Sequence, residues 1–329
     1  MPVIDLHAHW FPQPWIDLLL KEADANGARM GRNEKGHAMI DVTGVPLKSV
    51  FRPDMIEPAI LLKNMDAARV DTRALSLTNP MVYWAPPAFG LKLSQAYNDA
   101  CAALHQAHPD RFLGAIMLPL QAPDLAVQEL ERAARLPGMR AVYMAMHVGG
   151  RNLDDKPLWP VYERCAALGL PVCLHPVNPL GIERMRGFHL RNLCGNPYEA
   201  GIAAASLIFG GVLDAFPALD VMLPHAGGTF PWLIGRYDRG VEVRKELQHM
   251  KQPASAYLRR FYYDTVSHHP QLIRFLIDLV GADRVVVGSD YNFDMGYERP
   301  VEFVERVPGL TAQEREMILT KNARRLLRL

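Results

Sequence analysis

Short apolar, β-branched runs alternate along this chain with longer segments in which apolar residues recur every three to four positions. The short runs predict strands over 3–6, 72–77, 112–118, 140–145, 171–174, 220–223, 261–265 and 284–288. The longer periodicity predicts helices over 58–69, 91–107, 125–136, 158–168, 198–216, 230–247 and 270–280. Runs such as Val285-Val286-Val287 lack polar alternation, as expected of parallel strands covered on both faces. Eight strand–helix repeats predict an α/β fold, a (β/α)8 TIM barrel, in preference to an open sheet. The rhythm breaks twice, in a small insert after the first strand at about 23–57 and in a loop over 175–198. Without a linker or an internal repeat, residues 1–329 are read as one barrel domain carrying that insert.

Composition narrows the partners. With 49% hydrophobic and 22% charged residues, the chain is not of the disordered class. Lys plus Arg (36) nearly balances Asp plus Glu (35), and no long basic run occurs, which argues against nucleic acid as a partner. Charge recognition is expected from a few arginines inside a pocket, acting on a small-molecule carboxylate. No run of about 18 apolar residues predicts a membrane helix. No basic segment followed by an apolar one marks a secretory signal. Cys101, Cys165, Cys173 and Cys194 form no CxxC pair, and buried, reduced thiols in a cytoplasmic protein are expected.

The predicted strand ends carry the chemistry. Strand one runs into His7-Ala8-His9, strand five ends at His175, strand six at His225 and strand eight at Asp290. His7 and His9, two apart, face the same side of their strand. Parallel barrel strands deliver their carboxyl ends to one face, where active sites of this fold sit. Four imidazoles and a carboxylate converging there suit one borderline-soft divalent cation, Zn²⁺ by default, with Mn²⁺ or Fe²⁺ as alternatives. A lone His-x-His pair would carry little weight. Four strand ends bearing ligand types in one register carry much more.

These residues resemble the amidohydrolase superfamily. The stretches Ile4-Asp5-Leu6-His7-Ala8-His9-Trp10-Phe11-Pro12, His225-Ala226-Gly227-Gly228-Thr229-Phe230, Leu233-Ile234-Gly235-Arg236-Tyr237-Asp238 and Gly288-Ser289-Asp290-Tyr291-Asn292-Phe293 resemble more closely its amidohydrolase-related branch, typified by 2-amino-3-carboxymuconate-6-semialdehyde decarboxylase. Binuclear members bridge two metals with a lysine or glutamate at the end of strand four. Residues 139–147 contain neither, so the resemblance implies a single ion. It implies His7, His9, His175 and Asp290 as ligands, with one position left for water. His225 would stand beside that water as general base and acid, or serve as a fifth ligand; imidazole suits either role.

The resemblance further implies nonoxidative decarboxylation: a proton reaches the carbon bearing the carboxylate, the C–C bond breaks and CO₂ leaves. Arg236, on the helix after strand six, would clamp a carboxylate across the interface of a homodimer. A second family arginine in the insert aligns with Ser49 when no gap is allowed. Arg52 is the preferred substitute, with Lys48 as its rival. Phe293 and Trp10 are candidates for stacking on a planar substrate. His147 is read as a structural hydrogen-bonding residue, while His268 and His269 lie at the face where substrate would bind. His37, His105, His108, His189 and His249 are read as surface residues. Two alternatives use the same site: hydrolysis of a lactone, amide or ester, and hydration of an unsaturated diacid. A silent barrel acting as a binding module is the alternative from another class.

Overall fold

The computed structural model describes residues 2–45 and 48–329. Its strands are β1 (Ile4–His9), β2 (Ala28–Arg32), β3 (Ala38–Val42), β4 (Ser49–Val50), β5 (Thr72–Ser76), β6 (Phe112–Met117), β7 (Met139–Ala145), β8 (Val172–His175), β9 (Val221–Leu223) and β10 (Phe261–Tyr263). Strand β1 and strands β5 to β10 pair in parallel, in chain order, in one curled sheet. Strands β2, β3 and β4 form a separate antiparallel sheet, which lies within the expected insert.

The predicted eighth strand closes the barrel without forming a regular ladder. Val286 N–H donates to Tyr263 O at 2.8 Å, and Leu6 N–H donates to Val287 O at 2.9 Å. Parallel bridges join Tyr263 to Val285 and Ala8 to Tyr291, so this segment stitches β10 to β1. Val285, Val286 and Val287 are fully buried, as their unbroken apolar run requires. Gly288 is needed for this closure. A Cβ there would lie 2.9 Å from both the His7 and Asp264 Cβ atoms, closer than packed carbons tolerate.

Two predicted helices end earlier than their periodicity suggested. The 198–216 segment is two helices, Asn196–Phe209 and Val212–Ala215, separated at Gly210-Gly211, where Gly211 takes φ 76°. Such a left-handed residue stops a helix, and glycine adopts it without a Cβ clash. The 230–247 segment leaves helical geometry at Arg244, so its helix is Phe230–Val243. An unpredicted helix, Gln13–Glu22, buries Trp15, Ile16 and Leu19, with Trp15 packed edge-on against Phe51 of the insert. Beyond the barrel, Pro300–Glu305, Ala312–Glu316 and Asn322–Leu327 are helical, and Thr311 with Glu314 caps the second of them reciprocally. Among the described residues, no helix is long and apolar enough to cross a membrane.

Candidate metal centre

His7 and His9 on β1, His175 at the end of β8, His225 after β9 and Asp290 after the closing segment meet at the carboxyl ends of the barrel strands. His7, His9, His175 and Asp290 are buried. One donor atom from each of His7, His175, His225 and Asp290 lies within 4.8 Å of the others. His9 Nε2 stands 3.0 Å from Asp290 Oδ1, and its ring centre is 4.8 Å from that of His175. The sequence-predicted set is thus brought together in full.

The partners of each ring decide its protons. His7 Nδ1 donates to Asp264 Oδ2 at 2.6 Å, because a carboxylate only accepts. Ser76 Oγ gives its hydrogen to Ala8 O at 2.9 Å, so it accepts from His9 Nδ1, also at 2.9 Å. His175 Nδ1 lies 3.0 Å from Pro176 O and 3.0 Å from Thr78 Oγ1; a carbonyl only accepts, so this nitrogen also donates. Nδ1 is thus engaged in all three rings, leaving Nε2 as the nitrogen each can offer to the cluster, and His9 Nε2 lies 3.0 Å from Asp290 Oδ1. His7 Nε2 is 3.3 Å from Asp290 Oδ1 and has no hydrogen-bond partner. Imidazole nitrogens and a carboxylate this close in a buried site call for a cation among them, a proton or a metal ion, and imidazoles oriented through Nδ1 are how proteins present metal ligands. The donor set fits a divalent metal ion.

The electrostatics agree. Burial opposes charge on His7, yet Asp290 and Asp264 outweigh it and push its pKa up to about 10. The site thus draws positive charge to this point. Burial, reinforced by the charges of His7 and His225, pulls His9 down to about 4. Burial and the neighbouring His9 and His7 hold His175 well below the usual histidine range. For Asp290, burial is outweighed by His7, His225 and His9, and its carboxyl stays well below the usual carboxylate range. Two turns here are held in left-handed backbone: His225 at φ 54° and Asp290 at φ 54°. Non-glycine residues in that region cost on the order of 1–3 kcal/mol each and persist where surrounding contacts fix them.

Some of those contacts come from Asp5. Asp5 Oδ1 accepts from Ser289 N at 3.0 Å, and Asp5 Oδ2 accepts from Ser289 Oγ at 2.5 Å and from Arg73 Nε at 3.0 Å. Arg73 is fully buried and lies over the Tyr291 ring at 4.3 Å.

The sequence reading passed over Asp264, Ser76 and Thr78. Each ends or follows a barrel strand, as the cluster residues do, and that shared register was the signal available. Phe293 lies at the site, its ring centre 5.4 Å from that of His9. Arg52 is held in a two-pronged pair with Asp54 and also donates to Asn292 O. Lys48 is paired with Asp41 at 3.0 Å. Trp10 packs in the core with Nε1 donating to Ile56 O. His147 accepts from Gly150 N, with Nε2 3.1 Å from Asn178 O, which is a structural hydrogen-bonding role. His268 lines a cavity of ≈ 280 Å³ beside His225 and Asp290, whose wall includes Trp232, Leu272 and Phe275. Arg236 is not brought to the cluster within this chain; it is exposed on the helix Phe230–Val243. Of the four thiols, Cys101, Cys165 and Cys173 are buried as expected, but Cys194 is exposed because it falls in the loop after β8.

A closed parallel barrel with a buried cluster of metal-ligand side chains at its carboxyl rim defines a barrel metalloenzyme. The chain belongs to the amidohydrolase family: the family model described as Amidohydrolase matches residues 4–329. It is 32% identical over 323 residues to 2-amino-3-carboxymuconate-6-semialdehyde decarboxylase of Dictyostelium discoideum, covering 97% of this chain and 90% of that one. The fold matches Metarhizium anisopliae IDCase in apo form with a TM-score of 0.87 at 24% identity, over 99% of this chain and 97% of that one. It also matches 5-carboxyvanillate decarboxylase of Novosphingobium aromaticivorans, complexed with manganese, with a TM-score of 0.85 at 22% identity, over 100% of this chain and 96% of that one.

Proposed function

We propose that this protein is a metal-dependent nonoxidative decarboxylase of a small aromatic or muconate-like carboxylic acid. It is a carbon–carbon lyase of the amidohydrolase superfamily. The observation that carries this reading is the buried cluster in which donor atoms of His7, His175, His225 and Asp290 lie within 4.8 Å of one another, with His9 Nε2 3.0 Å and His225 Nε2 3.6 Å from the Asp290 carboxylate. His7, His9, His175 and Asp290 would hold one divalent ion, Zn²⁺ in the first instance, with Mn²⁺ or Fe²⁺ as alternatives. Such an ion supplies Lewis acidity towards substrate oxygens.

The chain's own groups handle the proton and the substrate. His225 delivers the proton to the carbon that bears the carboxylate, and the ionised Asp290, with Oδ2 3.6 Å from His225 Nε2, supports the imidazolium that carries it. That carbon takes the proton with a π pair. The C–C bond then breaks, its electrons restore the π system, and CO₂ leaves. Phe293 packs against the planar substrate, and Arg52 binds its polar groups from the insert. Arg236 clamps a carboxylate in the site of a second copy, making the working unit a homodimer. In support, Trp232 on the same helix is 63% exposed and stacks on Phe275 at 4.7 Å, an apolar surface suited to burial. Residues 1–329 act as one barrel unit with 23–57 as its insert. The unpaired, mostly buried thiols support a reducing cytoplasmic setting.

The test is CO₂ release from a panel of hydroxybenzoates and muconate-like acids by the metal-replete protein, with His225→Asn as control. Release that falls by about 10²–10⁴-fold in the variant is expected of a lost proton carrier. No release from any acid would overturn the reading, and lactones and amides would be assayed next.

A further inference from the structure

The insert and the loop after β8 enclose a cavity of ≈ 730 Å³, within the range of whole-ligand sites. It adjoins the metal centre, since Phe293 forms part of its wall and lies 5.4 Å, ring to ring, from His9. Lys48, Arg52, Arg186, Arg191 and His189 line it, and among the described residues no aspartate or glutamate does. In a chain of formal charge +1, this is a local concentration of one sign.

The four cations are not equivalent. Lys48 and Arg52 have their own carboxylates, Asp41 at 3.0 Å and Asp54 at 2.9 Å. Arg186 and Arg191 form no ion pair among the described residues. Arg191 is half-buried, and burial alone moves its pKa below the ordinary arginine range, as it would for a guanidinium without a carboxylate. Withdrawing such a charge from water without a partner is unfavourable, so the site gains when an anion enters. The planar fork of arginine matches a carboxylate with two parallel hydrogen bonds. A monoacid with its carboxylate at the metal centre would leave both guanidinium groups unmatched.

We propose that Arg186 and Arg191 form a subsite for a second carboxylate on the far arm of the substrate, so that elongated dicarboxylic acids are preferred. That the ligand is a substrate rests on the decarboxylase reading; that the cavity takes a second carboxylate does not. His189, which the sequence suggested as an ordinary surface residue, belongs to the same wall.

Calorimetric titration of the metal-loaded protein tests this, using isophthalate and 4-carboxycinnamate against benzoate and cinnamate. At least one dicarboxylate should bind about tenfold more tightly than its monoacid control, a difference of about 1.4 kcal/mol. Arg186→Met and Arg191→Met should each remove most of that advantage and leave monoacid affinity within about twofold. Arg186 is exposed, so its variant decides the matter even if Arg191→Met lowers the melting midpoint. Equal affinity for mono- and dicarboxylates, or a preference that survives both substitutions, would overturn the subsite. A preference lost in the variants, together with no CO₂ from any acid, would support the subsite and sink the decarboxylase reading. CO₂ release from monoacids without a dicarboxylate preference would do the reverse.

Discussion

Asp264 Oδ2 accepts the Nδ1 hydrogen of His7 across 2.6 Å, and neither side chain touches solvent. The same carboxylate accepts from Ala226 N at 2.8 Å and Val266 N at 3.0 Å through Oδ1, which fixes it between β1 and the turn carrying His225. Burial alone would raise the Asp264 carboxyl; the His7 bond and charge outweigh it and hold it below the ordinary aspartate range. Asp264 therefore aims His7 Nε2 at the cluster. In Asp264→Asn, metal affinity should fall by about 10–100-fold, the usual loss when a ligand's hydrogen-bond partner is removed. Competition with a chromophoric chelator measures this, and unchanged affinity would remove the aiming role.

Protein purified without added metal should carry about one divalent ion per chain. The expectation follows from 139–147, which offer neither lysine nor glutamate as a bridge. Metal analysis by mass spectrometry checks it; two equivalents would refute the mononuclear reading. Zinc, manganese and iron are distinguished in the same experiment.

Arg236 is exposed and remote from the cluster within its own chain, so its effect on catalysis depends on a second copy. Arg236→Ala should raise KM by about tenfold or more, equivalent to losing about 1.4 kcal/mol of carboxylate binding, with metal content unchanged. Sedimentation should show the dimer persisting, because the neighbouring apolar surface remains. A monomeric protein that is fully active with Arg236→Ala would reject the cross-subunit role.

Burial pushes the thiols of Cys101, Cys165 and Cys173 up to about 12. Their folded values lie above the unfolded value of about 8.5, so they favour the folded state fully below that pH. That contribution is lost as pH rises through the folded values. The melting midpoint should therefore decline progressively above about pH 8.5. Iodoacetamide at pH 8 should label the native protein only at exposed Cys194, and all four thiols after unfolding. Native labelling at a second cysteine, read by peptide mass, would contradict the burial.

Much of the site was legible because barrel geometry turns chain position into spatial position. A residue at the end of a strand-like run must appear on the carboxyl rim, so His7, His9, His175, His225 and Asp290 could be grouped before any contact was seen. The supporting acceptors were not legible in the same way. Serine, threonine and aspartate at strand ends serve equally in turns and caps, and only the contacts to His9, His175 and His7 separate Ser76, Thr78 and Asp264 from that background. The cavity of Arg186 and Arg191 was illegible for a different reason. Its walls come mainly from the insert and the loop after β8, two segments outside the strand–helix repeat whose meeting has no periodic signature. The 198–216 helix was overextended because apolar spacing continues across Gly210-Gly211, where backbone geometry ends it.

The closing segment joins β10 to β1, and His9 meets Asp290 across 281 positions of sequence. A ribosome must therefore deliver the chain past Asp290 before the cluster can be complete. Fragments released earlier would contain most of the histidines but lack the carboxylate that faces them. A metal held by this set would therefore be loaded only after the closing segment is made, and a tightly held ion would mark that the ring has shut.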